Sequence, residues 1–108
     1  MPKDDSIYVG HMLDAAHKIA ARIQGRTRPE YDSSEDLQIV LSFLIQTIGE
    51  GASRISIEYR DAHPEIPWKQ IIGMRNKIVH DYMNIDADIV WEVATRNIPT
   101  LIGQLAPL

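Results

Sequence analysis

The chain has 108 residues, with 11 Lys and Arg against 15 Asp and Glu, a formal charge of −4, 44% apolar residues and no cysteine. That length suits one domain over residues 1–108 with a single core, and leaves no room for a second. Disulfides, thiolate metal sites and cysteine nucleophiles are excluded, and the acidic balance argues against coating nucleic acid, without excluding a local basic pocket. The N-terminal stretch has no apolar run of signal-peptide length and nothing later spans a bilayer, so the expectation is a soluble, cytoplasmic protein without membrane association.

Apolar spacing predicts helices and no strand. The first helix runs roughly from Ile7 to Gln24, on a stripe of Val9, Leu13, Ala16, Ala20 and Ile23. Gly25 ends it, and residues 26–32 read as a polar connection broken by Pro29. Ser33 or Ser34 caps the second helix, whose stripe is Leu37, Val40/Leu41, Leu44, Ile48, Ala52 and Ile55. Gly49 and Gly51 inside it each cost about 1 kcal/mol relative to alanine. Close approach by a neighbouring helix or a second copy is the physical reason to keep them. Residues 60–67 read as a loop, with Pro67 where a first helical turn accepts it. The third helix is expected from about Trp68 to about His80, on Ile71, Met74 and Ile78, followed by a short connection over residues 81–85. Asp86 caps the fourth helix, which runs through Val90, Ala94, Ile98 and Leu105 and must kink at Pro99. Four amphipathic helices with mostly short connections predict an all-α, antiparallel four-helix bundle.

The stretch that carries chemistry is Gly73-Met-Arg-Asn-Lys-Ile-Val-His-Asp-Tyr82. On a continuous helix, Asn76 and His80 are neighbours four apart and Gly73 leaves a bare spot on the same face. Arg75 lies five before His80, so their side chains leave an ideal helix about 140° apart. The pair meets more easily if the helix frays near His80, or if two copies share a composite site. Elsewhere the signals are weak. His11, His17 and His63 are scattered without ligand spacing, so no metal site is expected. Glu50 reads as a solvated carboxylate that a basic group of the third helix could meet. Glu92 and Arg96, four apart, read as a surface ion pair.

Arg75-Asn-Lys-Ile-Val-His80-Asp-Tyr82 resembles the Arg-x4-His-x-Tyr signature of HepT-type proteins in the HEPN superfamily. The resemblance extends to Gln46-Thr-Ile-Gly-Glu-Gly51, to His63-Pro-Glu-Ile-Pro-Trp68, and to residues 86–105 including Pro99. It implies a HEPN-like homodimer and a metal-independent endoribonuclease needing no cofactor, the toxin of a type VII-like toxin–antitoxin pair. By the same resemblance, Arg75 and His80 are the catalytic residues, and Asn76 and Tyr82 bind or orient the RNA substrate. The implied partner is a minimal nucleotidyltransferase antitoxin of the MntA type, which neutralises the toxin by transferring AMP to Tyr82 or by masking the site.

The residue types suit that chemistry. RNA supplies its own nucleophile, the 2′-hydroxyl. His80 titrates near neutrality and can move its proton, while Arg75 offers a permanent planar donor fork to phosphate oxygens. The alternative is a non-catalytic helical subunit whose signature face binds a nucleotide or docks a nucleotidyltransferase. A third reading is a plain dimerisation module with no ligand.

Overall fold

The computed structural model describes residues 3–81 and 84–108, and their side chains apart from those of residues 3, 80 and 81. The fold is mostly helical. In chain order the elements are α1 (Lys3–Ile23), α2 (Arg28–Asp32), α3 (Glu35–Ser53), α4 (Ile57–Ala62), α5 (Trp68–Ile78), β1 (Val79–Asp81), β2 (Asn84–Ile85) and α6 (Ala87–Glu92). A π-turn (Val93–Asn97) then leads without a break into α7 (Ile98–Leu105). The long rods of the bundle are thus α1, α3, α5 and the continuous helix over residues 87–105. Among the described residues, no helix is long and apolar enough to cross a membrane.

The side chains inward from these rods form one core. Met12, Ile19, Leu41, Ile45, Ile48, Ile78, Val90, Ile98 and Leu105 are among its buried members. In α1 the buried stripe is Val9, Met12, Ala16 and Ile19, while Leu13, Ala20 and Ile23 are only partly covered. The expected stripe was therefore rotated toward the edge of the buried face, because α1 is apolar over more of its circumference than the core can use.

The two glycines of α3 meet neighbouring helices. A Cβ at Gly49 would lie 3.1 Å from the Ile71 carbonyl oxygen, and one at Gly51 would lie 2.8 Å from Met12 Cγ. Gly49 thus brings α3 against the backbone of α5, and Gly51 seats α1. Met12 beside Gly51 places the first half of α1 against the second half of α3, so these helices run antiparallel. Asp5, also buried, ties that end together. Its carboxylate accepts from the Ser56 backbone N–H at 2.8 Å and the Ser56 hydroxyl at 2.7 Å, where Ser56 caps α4. At the other edge, Gln104 Nε2 donates to the Glu65 carbonyl at 3.0 Å, which sets the end of α7 beside the approach to α5.

The first expected loop contains a short helix, and a second short helix runs into the start of the other. Residues 28–32 form α2 because Thr27 and Glu30 make a reciprocal capping box and Pro29 stands in the first turn, where its missing N–H is harmless. Ser34, not Ser33, caps α3, its side chain accepting from the Leu37 N–H. Residues 57–62 form α4 behind the Ser56 cap. Tyr31 anchors α2: it is fully buried, its hydroxyl donates to the Ala87 carbonyl at 2.6 Å, and burial pushes the phenol up to about 12. Its ring lies 4.8 Å from that of Trp91, and Arg28 beside it bridges Asp32 and Asp88.

Two further differences from expectation lie near the chain's polar cluster. Helix α5 stops at Ile78, and Val79 is already extended (φ −115°, ψ 104°). Residues 79–81 then pair antiparallel with residues 84–85, Val79 opposite Ile85, so the expected plain connection is a small β-ribbon. Both are β-branched and partly buried against the core, which suits an extended backbone better than another helical turn. Pro99, in turn, is accommodated by the wide turn before it. The Ile98 N–H reaches back to the Val93 carbonyl, a five-residue step that relieves the crowding a proline imposes on the preceding turn.

Candidate active site

The last turn of α5 presents Arg75, Asn76 and Lys77, all exposed, while Ile71, Met74 and Ile78 point into the core. The cations sit where the helix C-terminus favours positive charge. Among the described residues, the ion pairs are Arg28 with Asp32 and Asp88, and His63 with Glu65. The Arg75, Asn76 and Lys77 side chains have no partner in that set, and Glu50 does not reach a basic group of α5. A Cβ at Gly73 would meet nothing within 4 Å, so this part of α5 is bare toward the outside.

His80 falls beyond the helix, in β1. The expectation of Asn76 and His80 as neighbours on one helical face is therefore corrected: the helical repeat ends at Ile78, before His80. The 140° separation of a continuous helix therefore does not apply to Arg75 and His80. The His80 side chain and all of Tyr82 lie outside the described residues. No group of three His, Asp or Glu side chains among the described residues is arranged to hold a metal ion.

On the other side of α5, a groove of about 440 Å³ opens between this helix and the helix over residues 87–105. Met74, Ile89, Val93 and Leu101 contribute apolar lining, and Lys77, Glu92 and Arg96 contribute charge. The expected Glu92–Arg96 pair is not formed. Both side chains nevertheless line this groove, Arg96 from within the π-turn. Sequence reading took Arg96 only as half of a surface ion pair, whereas it lines this groove. The signal available was Pro99, three residues downstream, which demands a distorted turn.

A family model described as "HepT-like: Ribonuclease HepT-like" matches residues 12–108. The chain belongs to the HepT-like ribonuclease family. Among relatives of this HepT-like chain, "Gamma-glutamylcyclotransferase and putative RNase MJ0434" of Methanocaldococcus jannaschii is 32% identical over 105 residues, 97% of the chain but 47% of that protein. "Putative RNase TTE0752" of Caldanaerobacter subterraneus subsp. tengcongensis is 30% identical over 91% of the chain and 88% of its own length. "Probable ribonuclease HepT" of Thermococcus cleftensis is 34% identical over 64 residues, 59% of the chain and 58% of that protein. No solved structure matches the chain.

Proposed function

We propose that this HepT-like chain is a metal-independent endoribonuclease that cleaves RNA by attack of the 2′-hydroxyl on the adjacent phosphate. The observation that carries the reading is an exposed Arg75, without an ion-pair partner among the described residues, on the last turn of α5, five residues before a histidine that follows the helix end. In the reaction, His80 takes or gives a proton, the 2′-oxygen bonds to phosphorus, and the bond to the 5′-oxygen breaks. The products are a 2′,3′-cyclic phosphate and a 5′-hydroxyl. Arg75 neutralises the charge that builds on the phosphate oxygens, and Asn76 orients the histidine or hydrogen-bonds the sugar–phosphate.

The reading includes a two-fold homodimer with its two sites close together, control by a nucleotidyltransferase antitoxin, and a role as the toxin of the pair. The bare surface at Gly73 supports close approach by a second copy, and an exposed apolar stripe of Ile39, Val40 and Phe43 on α3 supports association generally, Phe43 being 66% exposed. The test is cleavage of a labelled RNA by wild type, Arg75→Ala and His80→Ala, each with and without EDTA. Both variants should lose cleavage while keeping the wild-type melting curve, and EDTA should leave the wild type active. Strict dependence on added divalent metal, or full activity in either variant, would refute the mechanism. Light scattering at micromolar concentration should give twice the chain mass.

A further inference from the structure

The groove between α5 and the helix over residues 87–105 is not used by the mechanism above. Its volume of about 440 Å³ lies within the range of small-molecule sites, about 300–1,000 Å³. Its floor is built of Met74, Val93 and Leu101, all nearly buried. Its charged lining is two cations, Lys77 and Arg96, against one carboxylate, Glu92. The groove is thus locally cationic in a chain of net charge −4.

Neither cation has a partner among the described residues, although Arg96 stands four positions from an acid with which an ordinary helix would pair it. Arg96 lies in the π-turn, and π-turns are found disproportionately at functional sites. Asn97, in the same turn, adds a carboxamide with both donor and acceptor.

We propose that this groove is a nucleotide-binding subsite for the RNA strand. A base rests on Met74, Val93 and Leu101, Asn97 reads its edge, and a neighbouring phosphate sits between Lys77 and Arg96. The proposal rests on the ribonuclease reading and extends it by naming residues that hold the strand away from the scissile bond. Continuity with the active centre comes from α5. Arg75 and Lys77 leave its last turn about 200° apart, so a strand crossing the helix end meets Arg75 on one side and the groove on the other. An apolar floor and cations without an ion-pair partner among the described residues together match a single-stranded nucleotide, whose base is free to leave the stack and whose phosphate carries the charge.

The experiment uses the full chain and a short single-stranded RNA carrying 2′-O-methyl groups throughout, which removes the nucleophile so that binding is read without cleavage. Fluorescence anisotropy is recorded at several salt concentrations for wild type, Lys77→Gln, Arg96→Gln and Thr100→Trp. All three positions are exposed and line the groove. Thr100→Trp fills it from the rim without touching the core, and melting curves verify folding. Each glutamine variant should weaken binding severalfold and lower the slope of log affinity against log salt by about one unit. Thr100→Trp should weaken binding about tenfold, the loss of one seated base.

Unchanged affinity and slope in all three variants would overturn the proposal, and is the result expected if a protein segment occupies the groove instead. If wild type cleaves unmodified RNA while the variants bind normally, the groove assignment fails and the ribonuclease reading stands. Weakened binding in the variants of a chain that cleaves nothing would uphold the subsite and sink the catalytic reading. A wild type that neither binds nor cleaves RNA would overturn both.

Discussion

Replacing Gly73 by alanine separates stability from activity at the bare face of α5. Gly73 lies inside the helix Trp68–Ile78, and an added Cβ would meet nothing within 4 Å. Alanine in a helix interior is favoured over glycine by about 0.5–1 kcal/mol, because the unfolded chain loses freedom and the helix gains no clash. For a domain of this size, about 1 kcal/mol moves Tm by roughly 4–8 °C, so Gly73→Ala should melt a few degrees higher. Gly10→Ala in α1 is the matched control, since a Cβ there also meets nothing within 4 Å. Gly49→Ala is the contrast. Its Cβ would press to 3.1 Å on the Ile71 carbonyl, a backbone atom that yields only if α3 and α5 part slightly, so its gain should be smaller than that of Gly10→Ala or negative. If Gly73 is bare because RNA or a second copy comes close, Gly73→Ala should lower the cleavage rate about tenfold, equivalent to about 1.4 kcal/mol, while Gly10→Ala stays fully active. The assays are circular-dichroism melting at several protein concentrations, which also reports dimer loss, and initial rates on a labelled RNA. A more stable Gly73→Ala with undiminished cleavage would refute the close-approach argument, and a lower Tm in dilute solution would refute the open helix face.

Three further outcomes are expected. Asp5→Ala should destabilise the fold by about 1–3 kcal/mol in urea titrations, since it strips the Ser56 N–H and hydroxyl of a buried acceptor; a change below about 0.5 kcal/mol would show that water replaces the carboxylate. Burial raises the Tyr31 phenol to about 12, above the value of about 10 in an unfolded chain. The unfolded state therefore releases its proton first, and the stability this phenol contributes is present below pH 10 and lost as pH rises through 12. Tyr31→Phe should be less stable at neutral pH by about 1 kcal/mol, having lost the hydrogen bond to Ala87, and should show a shallower loss of stability over that alkaline range; identical pH profiles would refute the assignment. Co-expression with a neighbouring nucleotidyltransferase should add mass in AMP steps on the peptide containing Tyr82, and Tyr82→Phe should stay toxic and escape that modification. Neutralisation of the Phe variant without any adduct would show control by masking.

How the chain divides between local and tertiary determination follows from which forces are local. Periodicity, caps and breakers act over a few residues, so the long helices, the Asp86 cap and the disturbance at Pro99 were readable directly. The Arg75–His80 segment was readable as a motif because its residue types are few and closely spaced. Other features depended on partners far away in sequence. α2 is capped locally but anchored by Tyr31 reaching Ala87, and the Ser56 cap of α4 is tied to Asp5, contacts that local spacing does not show. The same local reading gave Gly49 and Gly51 a reason to exist but not an occupant; the packing of α5 and of Met12 supplied it. The end of α5 was a tertiary decision too. Val79 and Ile85 gain more by packing on the core as a β-ribbon than by extending a helix, and that choice removes His80 from the helical face that the spacing had given it. Likewise, four-residue spacing paired Glu92 with Arg96, whereas in the fold both line, without pairing, a groove that exists only once α5 and the last helix have come together.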